Sequence, residues 1–269
     1  MHNKSLSPPY SGDRLNSFSE MSSYEVENIN PYTEGGCSKG QQVAEMFDHI
    51  APAYDRMNRL MTFGLDRVWL RRTISAISKA EPRNVLDIAT GTADVAIALA
   101  RKLPDALITG IDISEGMVNI GKQKVSRAGL ESRIRLETAD ALELPFEDNY
   151  FDAITVAYGV RNFEHLDRGY AEMSRVLRPG GQLFVLELTV PASPLTRPLY
   201  NVYTRLVIPI LGRIMSKDNR AYTYLPESIQ AVPSRGSMVG LMKQAGFFQA
   251  RYKSLFPGTV CIYSAIKPE

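Results

Sequence analysis

The stretch Val85-Leu86-Asp87-Ile88-Ala89-Thr90-Gly91-Thr92-Ala93-Asp94 constrains the fold more than any other part of the chain. Its short apolar run predicts a buried parallel strand, and Gly91 stands where that strand must turn sharply into a helix. The helix follows with Val95, Leu99 and Leu103 as its apolar positions. A second apolar run, Leu107 to Ile111, ends in Asp112, 21 residues past Gly91. Nucleotide-binding folds set a glycine turn against a ribose-binding acid at about this separation. A carboxylate suits a cis-diol because it accepts two hydrogen bonds at once.

The dinucleotide fingerprint is missing, however. That motif uses three glycines to bring the backbone against a pyrophosphate, and here Thr90, Thr92 and Asp94 flank a single Gly91. An acid at the helix start would also repel a phosphate. The loop fits a nucleoside without phosphates and with a cationic portion, a description that S-adenosylmethionine meets. The bland alternative is an ordinary strand-to-helix turn capped by Asp94.

Strands are expected near 85–89, 107–112, 133–137, 151–157 and 182–190, with helices near 94–103, 115–128 and 166–177. Ser114 is the N-cap expected for the second helix, and Pro179-Gly180-Gly181 stops the third. Such alternation predicts βαβ units and an α/β parallel sheet between helices. A last helix, Ser237 to Ala245, precedes strands near 249–256 and 259–266, joined through Pro257-Gly258. A mostly parallel seven-stranded sheet finished by an antiparallel hairpin is the Rossmann-like shape of a class I methyltransferase, and it separates that fold from a dehydrogenase.

Two regions depart from the rhythm. Residues 1–40 hold eight serines and little apolar periodicity, and are expected to be a disordered tail before a domain spanning 41–269. Residues 41–80 carry helical spacing, at Val43, Met46, Phe47 and Ile50 and again at Val68, Leu70, Ile74 and Ile77. Between those runs, 54–64 mixes polar and aromatic residues as a ligand-facing segment would. Residues 191–233 read as an inserted apolar lid, with Pro209 kinking its first helix, or equally as an extra core helix. A net charge of +2 gives no case for nucleic acid as a partner. Cys37 and Cys261 form no metal or disulfide pattern, and no run of 18 uncharged apolar residues is present.

In open parallel sheets ligands bind beyond the carboxyl ends of the strands. There the chain places Asp87, Gly91 and Thr92, then Asp112, then Asp140-Ala141, then Tyr158 to Asn162. Asp140 could accept from an adenine amine, or merely hold a turn. If a ring carbon is methylated, a base must take a proton from a neighbouring hydroxyl. The candidates are His49, His165, Asp55, Tyr54, and Arg161 with Asn162 acting through a water. His165, at a helix start, reads better as a surface or capping residue. A loop Arg161 could stabilise a developing phenolate, or pair with Glu164 or Asp167. An oxidoreductase, a ligand sensor and a methyltransferase with a polar acceptor are weaker readings. They conflict with the missing glycines, the Arg161-Asn162 pair and the apolar 199–215 segment respectively.

Tyr54-Asp55-x-Met57-Asn58-x-x-Met61-Thr62-x-Gly64 followed by Arg67-x-Trp69 resembles the first signature of the ubiquinone/menaquinone biosynthesis C-methyltransferases. Arg175-Val176-Leu177-Arg178-Pro179-Gly180-Gly181 with Leu186-Glu187 resembles the second. Tyr158-Gly159-Val160-Arg161-Asn162 and Tyr224-Leu225-Pro226-Glu227-Ser228-Ile229 match as well. The resemblance implies methylation of a ring carbon of demethylmenaquinol, with the benzoquinol of ubiquinone synthesis as the alternative acceptor. It implies S-adenosylmethionine touching Thr92, Asp112, Asp140 and Ala141, and catalytic roles for Arg161 and Asn162. The chain departs from the pattern at Asp66, at Leu188-Thr189-Val190-Pro191, and at Ala157, where a cofactor-contacting Ser is expected. A prenylated quinol implies a cytoplasmic enzyme in peripheral contact with the inner membrane face, through Leu199 to Met215. A homodimer is left open.

Overall fold

Runs of Val, Ile and Leu bounded by glycines or acids form the strands, and 3.6-residue periodicity forms the helices between them. The computed structural model describes residues 24–32, 36–210 and 220–269. Seven strands, β1 (Asn84–Ile88), β2 (Leu107–Asp112), β3 (Ile134–Thr138), β4 (Phe151–Ala157), β5 (Leu177–Leu188), β6 (Phe248–Leu255) and β7 (Val260–Ile266), form one sheet in the order β3-β2-β1-β4-β5-β7-β6. β1 lies parallel to β2 and β4, with Leu86 opposite Thr109 on one side and Ile154 on the other. β7 runs antiparallel to both β5 and β6. This is the class I S-adenosylmethionine methyltransferase topology expected from the sequence, and each strand falls within about two residues of its expected place apart from β5. That strand starts at Leu177, ahead of the Pro179-Gly180-Gly181 break.

The central strands are largely buried on both faces, which is why they read as mostly apolar runs. On one face α3 (Asp66–Ile77), α4 (Asp94–Lys102) and α5 (Glu115–Arg127) cover Val85, Ile108 and Ala153. On the other, α6 (Leu166–Val176) and α9 (Gly236–Gln244) cover Leu86, Ile88, Ile154 and Val156. Each such Val, Leu or Ile side chain, fully withdrawn from water, contributes about 1.5–3 kcal/mol. Ser114 caps α5 as expected, accepting from Met117 N–H at 3.1 Å.

A third cluster joins distant parts of the chain. α1 (Lys39–Ile50), α2 (Tyr54–Met61) and α8 (Arg220–Ala231) bring Met46, Ile50, Met57, Tyr222 and Tyr224 together with Ile208 and Met117. The inserted segment therefore packs on the N-terminal helices. After α7 (Arg197–Val202) it passes through a π-helical turn, Tyr203–Val207, two residues before Pro209. Proline cannot donate to the helix ladder, so the change of hydrogen bonding sits beside it. Residues 211–219 of the segment lie outside the described residues.

The stretch expected to be a tail needs one correction. Residues 24–32 are packed: a 3-10 turn, Glu25–Asn28, seats Val26 fully buried in the main core. A single valine in a serine-rich stretch carries no periodicity, so the pattern could not show it. Residues 1–23 lie outside the described residues.

Candidate active site

The strand order reverses between β1 and β4, and the cleft opens there, at the carboxyl ends of the strands. Reaching it requires tight loops. After β1, Ala89, Gly91 and Ala93 adopt positive φ of 53°, 54° and 67°. Glycine does this freely, whereas alanine is strained there, and such strain gathers at functional sites. After β4, Tyr158 also has positive φ, and Gly159 follows it. A Cβ on Gly159 would lie 2.5 Å from the Ala89 Cβ, so the two loops approach closely only because that residue is glycine.

The cleft encloses about 720 Å³ out to its open mouth. Tyr54, Gly91, Asp112, Asp140, Ala141 and Asn162 all line it, together with Val43, Phe47, Ala157 and Tyr158. Its charged lining residues are Asp112, Asp140 and Glu164, with no Lys, Arg or His among the described ones. Asp112 accepts from Gly91 N–H at 2.8 Å and from Ser114 N–H at 2.9 Å. Burial pushes its pKa up to about 6, against the pull of those two N–H groups and with Asp48 adding to the rise. Asp87, behind it, is pushed to about 7, chiefly by burial and also by Asp112, while the Thr90 hydroxyl opposes. Asp140 holds its turn by accepting from Leu142 N–H at 2.9 Å, which leaves its second oxygen free of that bond.

Two expected site residues face elsewhere. The Thr92 hydroxyl donates to Asp55 at 2.6 Å and accepts from Lys124, so it ties α2 to the β1 loop and is not among the cleft-lining residues. Lys124 also pairs with Asp55 and with Asp94, which is the first helical residue of α4 and supplies no cap. Arg161 points inward. Its guanidinium pairs with Glu187 of β5 at 2.8 Å, rather than with Glu164 or Asp167, and donates to the Tyr158 carbonyl. Its Nε is buried without a partner. Burial alone would depress its pKa, but Glu187 and nearby phenols outweigh that and hold it above its ordinary value.

Three tyrosines from separate stretches lie within electrostatic reach of Arg161: Tyr54 on α2, Tyr200 on α7 and Tyr224 on α8. Burial raises all three, Tyr200 to about 12, and Arg161 moderates each rise. They are neutral at physiological pH and so act as hydrogen-bond donors, not bases. Tyr224 donates to Asn162 Oδ1 at 3.1 Å, which turns the Asn162 amide N–H groups the other way. Sequence reasoning missed Glu187, Tyr200 and Tyr224 as a group, because only the fold brings them around Arg161. His49 and His165 are exposed and do not line the cleft.

The model of the ubiE/COQ5 methyltransferase family matches residues 36–267. The chain belongs to that family. It is 45% identical over 244 residues to the demethylmenaquinone methyltransferase of Bacteroides fragilis, covering 91% of this chain and 99% of that one. With the demethylmenaquinone methyltransferase of Porphyromonas gingivalis the identity is 46%, over 90% and 98% of the two chains. The ubiquinone/menaquinone biosynthesis C-methyltransferase of Geotalea daltonii is 41% identical over 85% of this chain and 97% of its own. Among solved structures, the [4+2]-cyclase SpnF superimposes with a TM-score of 0.62 at 19% identity, over 85% of this chain and 96% of that one. The S-adenosylmethionine-dependent methyltransferase SibL gives 0.59 at 18%, over 77% and 57%. At such identities these two show the shared fold alone.

Proposed function

We propose that this enzyme transfers the methyl group of S-adenosylmethionine to a ring carbon of demethylmenaquinol, the last step in making a menaquinone. The observation that carries the reading is the cleft at the switch point, lined by three acids and no base, opening beside a buried guanidinium ringed by phenols. Relatives at 45–46% identity that bear this activity in their names support the choice of acceptor.

The residues present fit the cofactor. Asp112 retains acceptor positions for a ribose diol, Asp140 and Ala141 stand where an adenine would lie, and Gly91 allows close approach of the backbone. An acid-lined wall favours a cation and disfavours phosphate. When bound, S-adenosylmethionine supplies a methyl group already activated by a positively charged sulfur. The chain supplies alignment, dryness and the handling of one proton. Asn162 N–H groups and the Tyr54 phenol donate to the quinol oxygens. A water beside Asn162 takes the hydroxyl proton to solvent, while the Arg161 guanidinium, which stays protonated, steadies from behind the turn the negative charge that makes the ring carbon nucleophilic. Once the methyl is on, that carbon gives its own proton to water and the hydroxyl is reprotonated.

The acceptor's isoprenoid tail resides in a bilayer, and no helix among the described residues is long and apolar enough to cross one. The reading therefore includes peripheral contact with the inner face of the membrane. Phe63, Leu199 and Phe256 are 79%, 74% and 76% exposed, and Leu206 on the insert is exposed as well. Phe63 packs at a tilt against Tyr203 of the insert, and the Trp69 indole of α3 donates to the Phe256 carbonyl. Exposed Arg59, Arg197 and Arg205 would meet anionic head groups.

The test is incubation of the purified protein with methyl-labelled S-adenosylmethionine and either demethylmenaquinol or a demethylated benzoquinol. Label in menaquinol supports the reading, label only in the benzoquinol replaces it, and label in neither sinks it.

A further inference from the structure

The family match begins at residue 36, yet residues 24–32 are built into the core. What holds them is a lysine with almost no access to water. Lys39, the first residue of α1, is 4% exposed. Its ammonium donates to the Val26 carbonyl at 2.5 Å and contacts the Arg161 carbonyl at 3.5 Å, the latter an ion–dipole contact more than a tight hydrogen bond. Two further ties run the same way. Leu166 N–H donates to Glu27 Oε1 at 2.7 Å, and Gly40 N–H donates to Glu164 Oε2 at 3.2 Å.

Packing alone does not call for an ammonium here, since burying a charge is costly and an apolar side chain would fill the space. Only a donor with several N–H groups on a long stem satisfies two main-chain carbonyls from different segments at once. One of them belongs to Arg161, in the turn that also carries Asn162. Burial lowers the Lys39 pKa to about 8 against Glu27 and Glu164, so the cationic form still prevails at neutral pH.

We propose that Lys39 is a positioning residue for methyl transfer: by clasping the Val26 and Arg161 carbonyls it fastens the 24–32 strap to the 159–166 turn and fixes Arg161 and Asn162 against the acceptor. The proposal rests on the acceptor-side role given to that pair under the proposed function. Lys39 itself touches neither substrate.

Lys39→Met and Lys39→Gln, whose stem is one atom shorter, should lower kcat about 10- to 100-fold, the scale expected when a reacting group is displaced by around an ångström. The Kd for S-adenosylmethionine should stay within about twofold, because Asp112 and Asp140 stand on other loops, and Lys39→Arg should recover part of kcat. Hydrogen exchange gives a readout that needs no acceptor. Amides of residues 159–166 should exchange about tenfold or more faster in the neutral variants, with those of β1 and β4 unchanged. An unchanged kcat in a folded neutral variant overturns the proposal. So does exchange that rises equally in the turn and the sheet, or failure of both neutral variants to fold, since either makes Lys39 a general folding residue. Absence of quinol methylation by the parent would strike the proposed function alone and leave the exchange result standing.

Discussion

Replacing Asp112 with alanine should weaken S-adenosylmethionine binding about 10- to 150-fold without unfolding the protein. The carboxylate has roughly four acceptor positions; Gly91 and Ser114 take one on each oxygen and the Ile113 N–H also draws on it, so at least one remains for a diol. Hydrogen bonds to a charged group contribute about 1.5–3 kcal/mol, which converts to that range of Kd. Against the loss of two backbone bonds stands the removal of a costly buried charge. A pKa of about 6 in place of 3.8 corresponds to roughly 3 kcal/mol against the ionised form. The free variant should therefore melt close to the parent. A diol donates to the ionised carboxylate, so binding is at full strength above about pH 6 and is lost as pH falls through that value, by about a decade per unit. Stability of the free protein runs the other way. The folded pKa values of Asp112 and Asp87, about 6 and about 7, lie above 3.8, so their stabilisation is fully present below pH 3.8 and is lost progressively as pH rises from there through 6 to 7. Calorimetric titration of parent and Asp112→Ala at pH 8 and pH 5 tests the scheme. Equal affinity of a folded variant at pH 8, or a parent whose affinity does not decline at pH 5, refutes it.

Arg161→Ala should cut kcat far more than it changes cofactor Kd, and should cost about 3–5 kcal/mol of stability by leaving Glu187 charged and unpaired in the core. Single-turnover rates per folded molecule decide the first point and urea denaturation the second, and a rate equal to the parent's rejects the catalytic role. Gly159→Ala should destabilise by about 1–3 kcal/mol and weaken cofactor binding, because its Cβ would force Ala89 and Val156 apart; an unchanged melting temperature would show that the two loops can separate freely. Phe63→Ser with Leu199→Ser should reduce salt-sensitive binding to anionic vesicles and raise KM for long-tailed quinols more than for short-tailed ones. If both quinols are affected alike and vesicle binding persists, those side chains do not meet a membrane.

The part of the cleft proposed to hold the cofactor is legible in the sequence because it is built from strand ends. Asp112 and Asp140 follow apolar runs at fixed spacing, and the sheet carries them to one edge whatever the helices do. The acceptor half is assembled differently. Tyr54, Tyr200 and Tyr224 converge only when the N-terminal helices pack on the insert, and nothing in 54–64 or 199–215 states that contact. Thr92 shows the limit in the opposite direction. Its place after Gly91 suggests a ligand contact, yet the hydroxyl is taken by Asp55 and Lys124, a tie across 37 residues that no local pattern reveals. Val26 and Lys39 escaped for a related reason, since a lone buried residue in a polar stretch has no periodicity to announce it.

The division of charge between the two halves has a physical logic. Moving a methyl cation from a sulfonium to an ionised phenol ring discharges a positive and a negative centre together, so a dry site helps the forward step. The danger is an acceptor side that binds the phenolate too well, because stabilising the ground state as much as the transition state gains nothing in turnover. A bare guanidinium facing the quinol would do that. In this protein Glu187 already neutralises Arg161, and the surrounding phenols are held in their neutral form by burial. In the proposed reaction the acceptor meets oriented dipoles, the Asn162 amide held by Tyr224 and the Tyr54 hydroxyl, with the Arg161 guanidinium buried behind them. Dipoles of this kind hold a quinol oxygen in place and tolerate its charge without trapping it. On the proposed mechanism, the buried pair of Arg161 and Glu187 would serve the chemistry by restraining its own electrostatic strength.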